Sequence, residues 1–369
     1  MIGTCLSNKG GITTVLNLYQ QAGFMEQSLY LASSKDGASL DKVLMYLQFL
    51  TQLVVSLISH PEIQIAHMHV SQRGSFLRKS LAFLICKAFC KKVIWHMHGS
   101  EFISFYTSAN GLYKAYINKI VTSLDCLIAL SEKRKSELLG IIPNAKVMVV
   151  YNPCLLQGKE ILASRKRLSQ QDKTNESSFV NFLFMGRYGK RKGVYDLIEA
   201  VKLLNNSNIR VALYGDVEVE PVQAKVIEAG LSEQIQVNTW ISGEEKHRVF
   251  SKSDVLLLPS YNEGLPMAIL EAMGYAMPVI STPVGGIPEA IIDGENGYLV
   301  EPGNVKELAE KMRCFLEYPD LIQKMGQTGY QMAAETFELS KVIAQLSILY
   351  EEVQRTDYSY IPAQQSEKV

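Results

Sequence analysis

The chain has 369 residues, of which 47% are hydrophobic and 20% charged, and its 37 basic side chains balance its 37 acidic ones. That length can bury the cores of two ordinary α/β domains, and the composition is that of a globular protein. The charge is uneven, with 15 Lys and Arg against 8 Asp and Glu through residue 155 and 22 against 29 beyond it. The first half is therefore expected to meet an anionic partner, and that partner is not expected to be nucleic acid.

The six cysteines are scattered. Cys86 and Cys90 stand one helical turn apart with no second pair nearby, which does not make a metal site. They read as small core residues in a reducing compartment. No signal-peptide pattern opens the chain. The most apolar windows, 43–59 and 81–89, are interrupted by Gln48, Gln52 and Lys87 and are expected to fall short of a bilayer span. The expected location is cytoplasmic or at the inner face of the cell membrane.

Taken in order, residues 1–5 start a strand. Ser7-Asn8-Lys9-Gly10-Gly11-Ile12 forms a glycine-rich loop before a helix over 13–22; two glycines before a helix are as readily a turn as a site. Residues 40–59 are helical by periodicity and 63–69 form a strand. The stretch 73–92 predicts a helix with Phe76, Leu77, Leu81, Leu84, Ile85 and Phe89 between basic ends that include Lys79, Lys91 and Lys92. Much of that surface must pack on a sheet. More positions are apolar than one buried face needs, so peripheral association with anionic membrane through 73–92 is expected. The strand 93–98 ends in His98, at the carboxyl end where open α/β sheets bind ligands, and His96 shares its parity. A strand over 125–130, a helix over 132–139 and a strand over 147–151 complete a first domain, 1–155. Residues 164–178 are polar and read as a linker.

The second half restarts with a strand over 179–185, then Gly186-Arg187-Tyr188-Gly189-Lys190-Arg191-Lys192-Gly193, then a helix from Val194. A strand, a glycine-bracketed basic loop and a helix make phosphate-binding geometry. Arg187 and Lys192 are the expected diphosphate cations, while Lys190 and Arg191 read as a solvated charge run. Strands over 209–214 and 235–241 follow, the second closing on Trp240-Ile241. The apolar run Asp254–Pro259 is another strand, and Pro266 stands where the first turn of a helix tolerates it. Met267 to Met273 is the helix body, followed by the strand Pro278-Val279-Ile280-Ser281. This helix N-terminus, with free N–H groups and partial positive charge, suits a phosphate. Glu263 and Glu271 bracket it, roughly 80° apart in helical phase. Glu263 alone reads as a charge at a helix N-terminus. Glu271, among Leu270, Ala272 and Met273, needs partners, and sugar hydroxyls would supply them. A strand over 297–300 and helices over 305–317, 319–334 and 338–354 end the pattern. A second domain is expected over 156–345, with 346–369 the end of a cross-over helix and a disordered tail over 356–369.

The run Asn262-Glu263-Gly264-Leu265-Pro266-Met267-Ala268-Ile269-Leu270-Glu271-Ala272-Met273, with Gly285-Gly286-Ile287-Pro288-Glu289 after it, resembles the Glu-x7-Glu signature of the family 4 retaining glycosyltransferases. The resemblance implies an α/β protein of the GT-B fold, in which two Rossmann-like domains with parallel sheets face each other across a cleft. It implies that Glu271 binds the nucleotide ribose and that Glu263, with the amides near Gly264 and Leu265, lies by the donor sugar. It further implies donor contacts from Gly11, from Arg187 and Lys192, and near the base from Trp240 and Ile241, with His98 on the acceptor side. Glu263 and His98 are the expected catalytic residues. Where relatives usually carry a second glycine after Gly215-Asp216, this chain has Val217, which removes the usual expectation of a donor contact from that loop.

The implied activity is transfer of a sugar, with retention, from a nucleotide-diphosphate sugar to a saccharide or lipid-linked saccharide, in cell-surface polysaccharide or glycolipid synthesis. No Asp-x-Asp motif occurs, and neither metal nor cofactor is expected. Arg187, Lys192 and the helix N-terminus would stabilise the anionic leaving group. The resemblance suggests front-face departure; a covalent carboxylate intermediate stays open. The alternatives are a same-fold epimerase or phosphorylase and a catalytically silent donor-binding partner of a polysaccharide complex.

Overall fold

A computed structural model describes residues 1–26, 28–35, 39–158 and 179–355. The expected linker, 164–178, and tail, 356–369, lie outside the described residues. The strands are β1 Ile2–Gly3, β2 Leu31–Ala32, β3 Ile65–Val70, β4 Lys92–Met97, β5 Cys126–Ala129 and β6 Val147–Val149, then β7 Val180–Met185, β8 Ile209–Gly215, β9 Ile235–Thr239, β10 Val255–Leu258, β11 Val279–Ser281 and β12 Gly297–Leu299. They pair in parallel into two six-stranded sheets, ordered β2-β1-β3-β4-β5-β6 and β12-β11-β10-β7-β8-β9. Helices cover both faces, which is why a strand such as Val255–Leu258 is apolar at every position rather than alternating; all four of its residues are fully buried. The two-domain α/β architecture expected of the resemblance is the one observed.

In each sheet the strand order reverses once, between β1 and β3 in the first and between β7 and β10 in the second. Crevices open at such points because the flanking connections leave to opposite faces, and ligands bind there at the carboxyl ends of the strands. The loops carrying Gly11, Arg187 and Glu263 all leave one of these four strands.

The first sheet packs on one face against the helices Ser39–Ser59, Gly74–Ala88 and Gly111–Thr122, through residues such as Phe49, Leu53, Phe76, Phe83 and Ile117. Its other face meets the helices Gly11–Gln21 and Leu339–Gln354, through Val15, Tyr19, Val342, Leu346 and Leu349. A boundary at 345 therefore cuts an unbroken helix whose apolar face, from Leu339 to Val353, lies on the first sheet. That stripe recurs at helical spacing, which keeps the whole helix on one surface. Met267, the first residue of the Glu271 helix, joins the same cluster and ties the second unit to the first.

Three expectations need correction. The helix expected over 73–92 spans Gly74–Ala88; Cys90 turns the chain with φ +56°, and Lys92 already opens β4. Cys90 is exposed rather than a core residue. The stretch Leu40–Ser59 is long and apolar enough to cross a bilayer, since the two glutamines cost less than its many Leu and Val residues supply. In this fold Phe49, Leu53 and Leu57 anchor it to the first core, and it lies as a surface helix.

Candidate active site

Four close approaches assemble the cleft. Gly193 adopts φ +72°, and a Cβ there would stand 2.0 Å from the Pro259 carbonyl oxygen, so the basic loop after β7 lies directly on the loop after β10. Gly285, at φ +57°, would bring a Cβ to 2.1 Å from the Glu263 carbonyl oxygen. Only glycine meets both demands cheaply. From the first unit, Asn152 Nδ2 donates to the Leu265 carbonyl at 2.9 Å. Across the same junction, the Glu289 carboxylate accepts the amides of Glu132 and Lys133 at 2.8 and 2.9 Å, capping the helix Glu132–Ile141 from the other domain.

Between the units lies a cavity of about 290 Å³. Of the expected site residues, Gly11, His98, Arg187, Lys192, Trp240, Glu263, Gly264, Leu265 and Glu271 all line it. Ile241 does not; it is buried in the core of the second unit, because β9 ends at Thr239 and the chain turns inward two residues later.

Glu263 is 6% exposed. Its Oε1 accepts from Lys192 Nζ and, at 2.8 Å, from Ser260 Oγ, while Arg191 Nη1 stands 3.9 Å from Oε2. A carboxylate this buried needs such partners, and in return it fixes the Lys192 ammonium at the cleft wall. Glu271 Oε1 accepts from Lys246 Nζ at 2.6 Å. Arg187 Nε lies 3.5 Å from Asp216 Oδ1 with most of its side chain exposed. The helix Met267–Gly274 opens between the glutamates with Pro266 before it and, among the described residues, no side chain capping it; its first residues, Met267 and Ala268, line the cleft. Five basic side chains, Lys9, Arg187, Arg191, Lys192 and Lys246, line the cavity with three acidic ones, Asp216, Glu263 and Glu271. Such a site favours a multiply charged anion whose attached neutral group offers hydroxyls.

Arg191, Asp216 and Lys246 belong to this site and were not expected in it. Arg191 looked like a surface charge, yet its Nη1 donates to the Asn262 carbonyl at 2.8 Å. Lys246 lies on the helix Gly243–Lys252 and is paired with Glu271 only by packing; no local pattern marks it. The loop of Asp216 reaches the cleft despite lacking the second glycine. Val217 and Glu218 take positive φ, +61° and +21°, the left-handed conformation that a glycine would adopt without strain.

His98 lines the cleft, but its Nε2 is 2.8 Å from His69 Nδ1. Behind it His67, His69 and His96 are buried, with one nitrogen of each ring within 4.8 Å of those of the other two. Their planes stack at 15° to 28°. In-plane lone pairs of rings stacked in this way run side by side rather than converging on one point. Burial holds all four imidazoles well below the usual histidine range, His67 and His98 at about 3.

Residues 165–332 match the family described as glycosyl transferases group 1. The chain is 30% identical over 258 residues to an uncharacterized glycosyltransferase of Methanocaldococcus jannaschii, covering 70% of this chain and 67% of that one. It is 28% identical over 317 residues to an uncharacterized 41.2 kDa protein in the cps region of Klebsiella pneumoniae, covering 82% and 86%. In fold it is similar to HepE of Anabaena, solved in complex with UDP-glucose, with a TM-score of 0.71 at 16% identity over 95% of this chain and 98% of that one.

Proposed function

Because the chain belongs to the group 1 glycosyl transferases, we propose that it moves a sugar, with retention and without a metal, from a nucleoside diphosphate donor to a saccharide or lipid-linked saccharide. The observation that carries this reading is the meeting of Arg187, Lys192 and an uncapped helix N-terminus with Glu263 and Glu271 in one cleft. The cations and amides would stabilise charge gathering on the departing diphosphate, which is where such a reaction needs help. Glu271 would accept the ribose hydroxyls, and Glu263, held by Lys192 and Ser260, would stand by the donor sugar. The relative solved with UDP-glucose supports a donor of this class. His98 is assigned to the acceptor side of the cleft, as a neutral hydrogen-bonding group.

The acceptor chemistry suggests a membrane setting, and two helices supply a surface for it. On Gly74–Ala88, Leu77, Leu81 and Leu84 are exposed; on Ser39–Ser59, so are Leu40, Val43, Leu44, Leu47, Val55 and Ile58. Both helices pack side by side on the first sheet. We propose that this apolar face rests on anionic lipid at the inner face of the membrane. Lys79 is not part of that surface, being only 3% exposed.

The test of the transfer reading is incubation with a panel of nucleoside diphosphate sugars, with and without saccharides, following nucleotide release and the anomeric configuration of the product. Release that depends on acceptor, retains configuration and survives chelation of metals is expected. Release without acceptor alongside an epimerised sugar, or donor binding with no release, would end the proposal.

A further inference from the structure

A second cavity, again of about 290 Å³, lies across the Lys9–Ile12 loop from the donor cleft. It sits at the strand-order reversal of the first sheet, beyond the ends of β1, β2 and β3. Lys9, Arg78 and Lys79 line it, together with hydroxyls such as Ser33, Ser34 and Ser75, and among the described residues no carboxylate lines it.

Lys79 makes this cavity unusual. Its side chain is 3% exposed, and Nζ donates to Ser33 Oγ and, at 3.4 Å, to the Gly3 carbonyl. No carboxylate pairs with it among the described residues. A buried ammonium with neutral partners is a charge lacking its counter-ion. Burial accordingly pulls Lys79 down to about 7, and an anion beside it would reverse that. Two helices, Gly11–Gln21 and Gly74–Ala88, begin at the cavity, and among the described residues no side chain caps either one. Their free amides add fixed positive potential. His69, 3% exposed, also lines the cavity, and its Nε2 has no hydrogen-bond partner among the described residues.

We infer that this cavity binds a phosphate group carried by the acceptor. The phosphate would lie among Lys9, Arg78 and Lys79, with the acceptor's saccharide reaching past the glycine loop to the donor. That it belongs to the acceptor rests on the transfer reading above; that it is an anion site does not. The chemistry is shared by a soluble sugar phosphate and a lipid-borne one, and the exposed Leu77 and Leu81, next to Arg78 and one turn after it on the same helix, suit the second.

The experiment is calorimetric titration of the full chain with inorganic phosphate and, separately, with farnesyl phosphate. Saturable binding is expected, at least tenfold weaker in Arg78→Ala and in Lys79→Met, and persisting in Lys192→Ala, which disables only the donor cleft. Tighter binding of farnesyl phosphate assigns a lipid source, and equal binding a soluble one. Arg78→Ala guards against loss of fold in Lys79→Met, since Arg78 is only half-buried. Wild-type affinity in both first variants, binding lost in Lys192→Ala alone, or no saturable binding would overturn the inference. Phosphate held at Arg78 and Lys79 without sugar transfer to any acceptor would instead sink the transfer reading and leave the anion site standing.

Discussion

The two glutamates show how far a single side chain's neighbours fix its task. Glu263 is locked by Lys192 and Ser260 on a loop, with Gly285 packed against its backbone. Glu271 rides on the helix behind it and pairs with Lys246 at the cleft. Their substitutions should therefore fail differently. If Glu271 accepts the ribose hydroxyls as proposed, Glu271→Ala should weaken binding of the free nucleoside diphosphate by about 1.5–3 kcal/mol, the range for hydrogen bonds to a charged group. Glu263→Ala should leave nucleotide affinity within about threefold, or about 0.6 kcal/mol, while cutting turnover. Calorimetry with the nucleotide alone, set beside turnover with the nucleotide sugar, separates the two. The reversed pattern would mean that the roles are exchanged.

At the scale of elements, the helices Ser39–Ser59 and Gly74–Ala88 each present two faces with different work. One face of each joins the first core, through Phe49 and Leu53 or Phe76 and Phe83. The opposite faces carry leucines that are about half exposed, with Leu44 at 56% and Leu81 at 42%. Exposed apolar stripes on adjacent helices make a patch larger than scattered surface leucines do. If the patch docks on lipid, the chain should sediment with anionic vesicles and not with zwitterionic ones, less so in high salt. Leu44→Asp with Leu81→Asp should abolish sedimentation without lowering thermal stability, since neither side chain is in the core. Equal sedimentation with both vesicle types, or none with either, would remove the membrane from the account.

The whole molecule is held across its cleft by the returning helix Leu339–Gln354, and its stability has a pH signature. Tyr350 of that helix meets His67 Nδ1 at 2.5 Å, beside the stack of His69, His96 and His98. All four histidines have folded pKa values depressed by burial, whereas in the unfolded chain they titrate near 6.5. Below that pH the unfolded state takes up protons that the folded state refuses, so stability falls as pH falls and is fully present above it. Each histidine should cost about 1.4 kcal/mol between pH 7.5 and 5.5. Denaturant unfolding at those two pH values should show a loss of several times that, reduced by one such increment in His96→Phe. Identical stability at both would contradict a buried neutral stack.

Sequence alone determined most of the frame, because parallel strands buried on both faces must be short apolar runs, and turns between them must hold glycine, proline and polar residues. The loops with Gly186 to Gly193 and Asn262 to Met273 were legible for the same reason: a strand, a loop and a helix start occupy contiguous residues. The helices Phe102–Ser108, Gly111–Thr122, Val219–Glu228 and Gly243–Lys252 were not, since their patterns are short or mixed. What lay beyond local pattern was decided by packing. Lys246 reaches Glu271 and Arg191 reaches Asn262 across long stretches of chain. Lys79, which reads as a surface charge, is buried because the helix phase that points Leu77 and Leu81 to solvent turns it onto β1 and Ser33. A side chain's type is written in the sequence, but its partners depend on which distant segments the two sheets bring together.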